Sequence, residues 1–317
     1  MVFQRADHAA QGHRHRAGGA GHRHREPGLK ICLRCQAALG EDGWLCSTCG
    51  YEPQLIAGFP AFAPEFAASN EGYDAAYYSE LYALEARNYW FRARNALLTW
   101  ALRKYFPAAH AFLEIGCGTG FVLAGIAGAM PQLAMHASEI SSSGLPYAAQ
   151  RVPRAEFFQM DARAIPYAGH FDIIGLFDVL EHIKDDARVL AQAHRALRHG
   201  GGLMITVPQH RFLWSQYDEH AHHVRRYGAR ELRARLLQAG FRIVMTTSFV
   251  SLLLPLMMAS RFMRRAPRAD YDVLAELRVG RLANFLLEAV LTLERALIAI
   301  GVRFPVGGSL LLVARRD

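Results

Sequence analysis

Nowhere in these 317 residues does an apolar run approach the roughly 18 that a membrane-spanning helix requires. The first 28 residues lack the apolar core of a signal peptide, so the expected setting is the cytoplasm. Cysteine is scarce. Of the five, four fall in Cys32-x-x-Cys35 and Cys46-x-x-Cys49, and in a reducing compartment a disulfide framework is the weaker reading. Acids are scarce at the front: Arg5, Arg14, Arg16, Arg23, Arg25, Lys30 and Arg34 face only Asp7 and Glu26. Most of the formal charge of +8 therefore belongs to a tail. The main body has no polyanion-binding signature, and nucleic acid is not an expected partner. Length and an apolar content of 52% suffice for one large domain and a small one.

What is present divides the chain. Residues 1–28 are rich in Gly, His and Arg and are expected to be disordered. Residues 29–52 hold the two cysteine pairs, ten residues apart, which suit tetrahedral Zn²⁺ gripped from two tight turns. With all of Cys32, Cys35, Cys46 and Cys49 as ligands, such an ion is structural, and Trp44 is expected to pack within the ribbon. Residues 53–72, with Pro53, Pro60 and Pro64, read as a linker, and the remaining chain to residue 317 as one domain. That domain opens with an aromatic-rich helical stretch containing Asn88-Tyr89-Trp90-Phe91-Arg92-Ala93-Arg94, closed by Pro107.

After residue 110, short apolar runs alternate with helical periods, the pattern of a parallel sheet covered by helices. The expected strands are 111–115, 133–138, 155–159, 171–177, 202–207, 241–247 and 309–314. Helices are expected at 119–129, 142–151, 185–198 and 229–239. In such a sheet a ligand sits at the carboxyl ends of strands. The first strand ends in Glu114-Ile115-Gly116-Cys117-Gly118-Thr119-Gly120, a turn whose glycines tolerate positive φ and close ligand approach. Cys117 within it reads as a small residue in a crowded loop. Later strand ends carry Glu139-Ile140, Asp161-Ala162 and Asp178.

The glycine spacing with its preceding acid resembles motif I of the class I S-adenosylmethionine-dependent methyltransferases. Phe177-Asp178-Val179-Leu180-Glu181-His182 is similar to the small-molecule branch often labelled methyltransferase type 11 or 12. The resemblance implies an α/β, Rossmann-like seven-stranded sheet, the last strand antiparallel, with helices on both faces. To this the sequence adds the N-terminal zinc knuckle and a helical insertion over 248–306, before the last strand. It also implies S-adenosylmethionine as cofactor, held by Glu114, Gly116, Cys117, Gly118 and Gly120, with Glu139 and Ile140 at the ribose, Asp161 and Ala162 at the adenine, and Asp178 by the reaction centre. An NAD enzyme also wants an acid some 20 residues past its glycines, but the glycine spacing favours the methyl donor.

Methyl transfer needs a base only where the acceptor's proton must leave first. His182 and His223 are the candidates, with Asp178 beside them. The loop Trp214–Tyr227 follows the fifth expected strand, and an Asp…His-x-Arg-Arg-Tyr string there matches the resembling subgroup. Tyr217, Asp218, His223, Arg225, Arg226 and Tyr227 are accordingly expected to bind the acceptor. A metal on His220, His222 and His223 is disfavoured, since adjacent histidines cannot all face one ion.

The apolar run 249–258 with the arginines that follow it to 265 suits peripheral contact with an anionic membrane surface. Farther on, Leu282, Phe285, Leu286, Ala289, Leu293, Leu297 and Ile300 recur at helical spacing, fitting a lid over the sheet, a dimer face or a lipid contact. The expected activity is transfer of a methyl group to oxygen or carbon of a small or lipid-like acceptor. The alternative is a non-catalytic adaptor whose knuckle binds a partner. Oligomeric state is open from sequence.

Overall fold

The computed structural model describes residues 28–40, 42–68, 75–263, 274 and 277–317. The expected tail over 1–28 lies outside them but for Gly28, as does the part of the insertion carrying Arg264, Arg265 and Arg268.

Seven strands form the centre of the molecule: β4 (Ala111–Ile115), β5 (Ala134–Glu139), β6 (Glu156–Gln159), β8 (Phe171–Phe177), β9 (Leu197–Pro208), β10 (Phe241–Phe249) and β11 (Ser309–Arg316), in the order β10-β11-β9-β8-β4-β5-β6. All are parallel except β11, which runs against both its neighbours. β4 and β8 are buried along almost their whole length, so each reads as a continuous apolar run rather than an alternating one.

Two apolar cores result, one on each face. The first packs α2 (Tyr89–Tyr105), α3 (Phe121–Ala129), α4 (Leu145–Arg151) and α9 (Arg281–Ala299) on the sheet through Leu98, Leu102, Leu123, Ile126 and Leu145. The second packs α5 (Asp186–Ala196) and α7 (Ala229–Gln238) through Val189, Leu190, Leu232 and Leu236. The chain order reverses between β4 and β8, which places the ligand-binding crevice above their carboxyl ends.

Helix α3 begins at Phe121 rather than at the expected 119, because Gly116, Gly118 and Gly120 all hold left-handed φ and prolong the turn. Helix α1 (Ala75–Glu85) lies across that turn, tied down where Glu85 accepts from Thr119 Oγ1 at 2.6 Å and pairs with Arg151.

The front of the chain corrects two expectations. Residues 53–72 are more than a linker: β2 (Gln54–Ile56) and β3 (Phe59–Ala61) form a hairpin that extends the sheet to nine strands, with β3 parallel to β6 at Ala61 and Gln159. The Gln159 side chain fixes this edge, donating to the carbonyls of Ala63 at 2.7 Å and Ile140 at 2.8 Å. Trp44 does not pack within the ribbon. It inserts into the second core, edge-on to Phe62 and Tyr167 at centroid distances of 4.7 and 5.5 Å. Beside it β1 (Leu29–Lys30) pairs antiparallel with β7 (Tyr167–Ala168). A ribbon too short to own a core thus borrows one.

Candidate cofactor crevice and acceptor cavity

The three glycines of the turn do different work. A Cβ on Gly116 would stand 2.5 Å from Val179 Cγ2, and one on Gly120 would stand 2.7 Å from the Ala148 backbone. Those positions are required by packing. Gly118, at φ +52°, faces open space within 4 Å, and that is where a ligand can approach the backbone. Cys117 points into the core, where burial raises its thiol pKa well above the usual value and keeps it from acting as a nucleophile.

Glu139 is buried below the turn, accepting from the amides of Gly118 and Ile140, both at 2.8 Å. Each carboxylate oxygen keeps a second lone pair for a ligand hydroxyl. Tyr78 of α1 is buried beside this carboxylate, whose charge, together with burial, raises the phenol's pKa. Asp161 forms a forked pair with Arg163 and accepts from the Arg163 amide at 2.8 Å, with Ala162 buried behind it.

Glu114 is buried with one oxygen unpartnered, and desolvation pushes its pKa to about 8 against the pull of Arg94. Asp178 holds a left-handed φ of 59° and pairs with Arg94 at 2.5 Å. Arg94, buried on α2 and stacked toward Trp90, pairs with Asp178, and its charge opposes the effect of burial on Glu114 and Glu181.

Asp178 also opens onto a cavity of about 460 Å³. Its walls carry Trp90, Arg94, Glu181, His182, Tyr217, His223 and Arg226. Apolar residues of α8 (Leu254–Met263), with Leu287 of α9, line it as well. His223 Nδ1 lies 2.9 Å from Asp218 Oδ1. Asp218 is fully buried and accepts from Arg226 Nε at 2.7 Å and Nη2 at 2.9 Å, and from the Ser215 amide at 2.8 Å. Burial opposes its ionisation, but bonds from His223 and Arg226 outweigh that and hold its pKa at about 2.

His182 stands beside His223 with ring centroids 4.8 Å apart. Burial, reinforced by His223, lowers its pKa to about 4, and its ring bonds to the Ala221 backbone. Glu181 is fully buried with neither side-chain oxygen partnered; burial and the nearby Asp178 charge raise its pKa well above the usual carboxylate range.

The family profile described as "methyltransferase domain" matches residues 82–246, just over half the chain. The protein belongs to the methyltransferase domain family. A probable S-adenosylmethionine-dependent methyltransferase of Mycobacterium tuberculosis is 30% identical over 164 residues, 50% of this chain and 57% of the relative. Trans-aconitate 2-methyltransferase of Azoarcus is 33% identical over 132 residues, 42% of this chain and 49% of the relative. Ubiquinone biosynthesis O-methyltransferase of Pseudomonas aeruginosa is 27% identical over 117 residues, 34% and 49% of the two chains. These matches span about half the length of each relative. In the complex between the Haloferax volcanii Trm112 methyltransferase activator and a methyltransferase, one chain shares the fold with a TM-score of 0.51 at 16% identity, covering 76% of this chain and 95% of its own.

Within this methyltransferase domain, several expected acceptor-binding residues lie elsewhere. Arg225 donates to Asp186 at 2.9 Å and to the Lys184 carbonyl at 2.8 Å. Tyr227 is fully buried, and its hydroxyl donates to Asp186 at 2.6 Å. Both fasten the loop to α5 behind the cavity and cannot meet an acceptor. Arg226 lines the cavity, yet its guanidinium is consumed by Asp218. Nor do His220, His222 and His223 converge. The trio whose ligand atoms all lie within 4.8 Å of one another is Glu181, His182 and His223. Arg94 and Glu181 had no spacing signal to mark them: one sits in an aromatic helix, the other inside a motif already assigned to its neighbours.

At the front, all four cysteine sulfurs lie within 4.8 Å of one another, and the pairs Cys32–Cys49 and Cys35–Cys46 are 3.6 Å apart. Tetrahedral zinc with bonds of about 2.3 Å sets its sulfurs about 3.8 Å apart, so the cluster fits that ion.

Proposed function

We propose that the protein transfers a methyl group from S-adenosylmethionine to an oxygen or acidic carbon of a small or lipid-like acceptor, and that its four cysteines hold a structural Zn²⁺. The observation that carries this reading is the His223–Asp218 pair in the wall of a largely apolar cavity that Asp178 also lines, next to Val179, which packs on Gly116 of the glycine turn.

The residues fit the cofactor: the open approach at Gly118, the free lone pairs of Glu139 and the unpartnered oxygen of Glu114 suit a cationic nucleoside carrying hydroxyls. Glu139 accepts from the ribose hydroxyls, and charge-assisted bonds of that kind are the stronger class. At the adenine edge, beside the Ala162 amide, Asp161 would exchange part of its forked pair with Arg163 for the exocyclic amine. The glycine turn and Glu114 receive the amino-acid end. Bound S-adenosylmethionine supplies an electrophilic methyl on its sulfonium.

The chain's own residues supply position and a proton acceptor. Asp218 holds the Nδ1 proton of His223, which leaves Nε2 to take a proton from the acceptor. Arg226 and Ser215 fix Asp218, so the imidazole's tautomer and direction are set from behind. A neutral His182 alongside does not compete by charge. A base is needed for a hydroxyl and far less for an amine already able to attack, which favours oxygen or carbon over nitrogen. A relative named for O-methylation in ubiquinone biosynthesis supports the same choice.

Calorimetry with S-adenosylhomocysteine tests the reading. The wild type is expected to bind and Glu139→Gln to bind about ten- to a hundredfold more weakly, the loss of bonds to a charged acceptor. With labelled methyl donor and lipid or quinone extracts as acceptors, His223→Ala should lower turnover by about 10²–10⁴-fold while binding the product normally. Absence of binding by the wild type favours a non-catalytic adaptor. Full turnover by the variant removes His223 as base.

A further inference from the structure

Helix α9 is apolar on two faces: Leu291 and Ile298 are buried in the first core, and a second stripe faces outward. Its polar residues point inward: Asn284 accepts from the Tyr89 amide at 2.8 Å, Glu288 pairs with Arg92, and Glu294 accepts from the amides of Ser251 and Leu252, both at 2.7 Å. Its outward face carries Leu282, Phe285, Leu286, Ala289, Leu293 and Ala296, and the stripe runs on to Ile300. Leu282 is 73% exposed and Ile300 81%. An amphipathic helix on a closed protein buries one apolar stripe and turns polar residues outward, so the second, exposed stripe is the unusual one. A continuous exposed stripe of this kind marks an interaction surface.

The charges beside the stripe identify the partner. A groove of about 820 Å³ lies along α2, walled by Phe121 and Gly125 of α3 and reached by Arg295 of α9; Trp100, Arg103 and Lys104 line it, and no acid does. Arg103 and Lys104 are exposed. Among the described residues of 249–306 there are five arginines and only two glutamates, Glu288 and Glu294, both engaged internally. Among the described residues, the exposed stripe of a second copy would offer that groove no acid, whereas an anionic lipid surface offers phosphates beside an apolar layer.

We infer that α9 is the membrane-docking element of the protein: its outward stripe enters the acyl boundary of an anionic bilayer, and the groove along α2 takes lipid phosphates. The same helix contributes Leu287 to the acceptor cavity, so docking sets that cavity at the lipid surface. This moves the contact expected at 249–265 to 282–300. It does not depend on the chemistry proposed for the cavity.

The test is co-sedimentation of the full chain with vesicles of phosphatidylglycerol and phosphatidylcholine in equal parts, against pure phosphatidylcholine. The wild type should bind the anionic vesicles, less so as salt rises. The double variant Phe285→Glu, Leu286→Glu should bind at least about tenfold more weakly. Arg103→Glu with Arg295→Glu should weaken binding and flatten its salt dependence. Light scattering and S-adenosylhomocysteine calorimetry on the same samples report assembly and folding. Equal binding to both vesicles, wild-type binding by the α9 variant, or a dimer that the α9 variant splits in place of vesicle binding would each overturn the inference. Vesicle binding without affinity for the homocysteine product would leave it standing and remove the methyl-transfer reading.

Discussion

The methyltransferase sheet carries two additions, and they solve burial in opposite ways. The knuckle and its hairpin (29–61) send Trp44 inward to join Phe62, Phe158 and Tyr167, and complete a core that the sheet leaves open. The insertion turns Asn284, Glu288 and Glu294 inward beside the buried Leu291 and Ile298, and leaves Leu282, Phe285 and Leu293 in solvent. Both lie largely or wholly outside the residues matched by the family. The first is finished by its own chain; the second leaves an apolar stripe uncovered. Apolar content alone does not distinguish them, because what matters is which way the polar groups are spent.

The largest effect that sharpens this contrast falls on the knuckle. Trp44→Ala should cost about 3–5 kcal/mol of stability, as for other large aromatic deletions from a core. Removing zinc by chelation should cost a comparable amount. Urea unfolding measures both, and a loss below about 1 kcal/mol would make the knuckle a mere appendage.

A smaller effect separates neighbours on α9. Glu294→Ala should destabilise by about 1–3 kcal/mol, because two buried amides lose a charged acceptor, while Leu293→Ser one position away should stay within about 0.5 kcal/mol. Equal costs at both positions would break the assignment of Glu294 to the inner face and Leu293 to the outer one.

The smallest effect is a pH dependence at the knuckle's seat. His170 is packed against Gly28 and Tyr167, and burial, reinforced by the charge of His136, lowers its pKa to about 4. The unfolded chain, with an ordinary histidine pKa of about 6.5, therefore binds the proton more readily than the folded one. This contribution is fully present above that ordinary value and is lost as pH falls toward 4. His170→Gln should flatten stability between pH 7 and 4.5 relative to wild type. An unchanged slope would show that other groups carry it.

The rim of the crevice was legible because each of its residues follows a strand. Glycine spacing, Glu139, Asp161 and Asp178 are all read from where an apolar run stops, and the seven central strands fall within a few residues of their expected bounds except β9, which starts at Leu197. The acceptor wall was half legible. His223 and Asp218 came from a string of polar residues, yet the same string offered Arg225 and Tyr227, which the fold commits to Asp186. A sequence lists candidate donors but cannot say which buried acid claims them. Arg94 was hidden for the same reason: the acids its charge acts on, Asp178 and Glu114, come from two other elements. Periodicity likewise found the stripe on α9 without revealing that it faces away from the sheet, since spacing defines a face and not its neighbour.

The hairpin beside β6 has a practical consequence. Trimming the chain back to the region shared with its relatives would strip β3 from Ala61–Gln159, leave Gln159 without Ala63, and bare the aromatic floor under Trp44. The shortened protein would present a raw sheet edge next to a greasy hollow, a combination that invites strand-to-strand aggregation. Cutting this chain into methyltransferase domain and front ribbon is thus expected to yield precipitate rather than two folded parts.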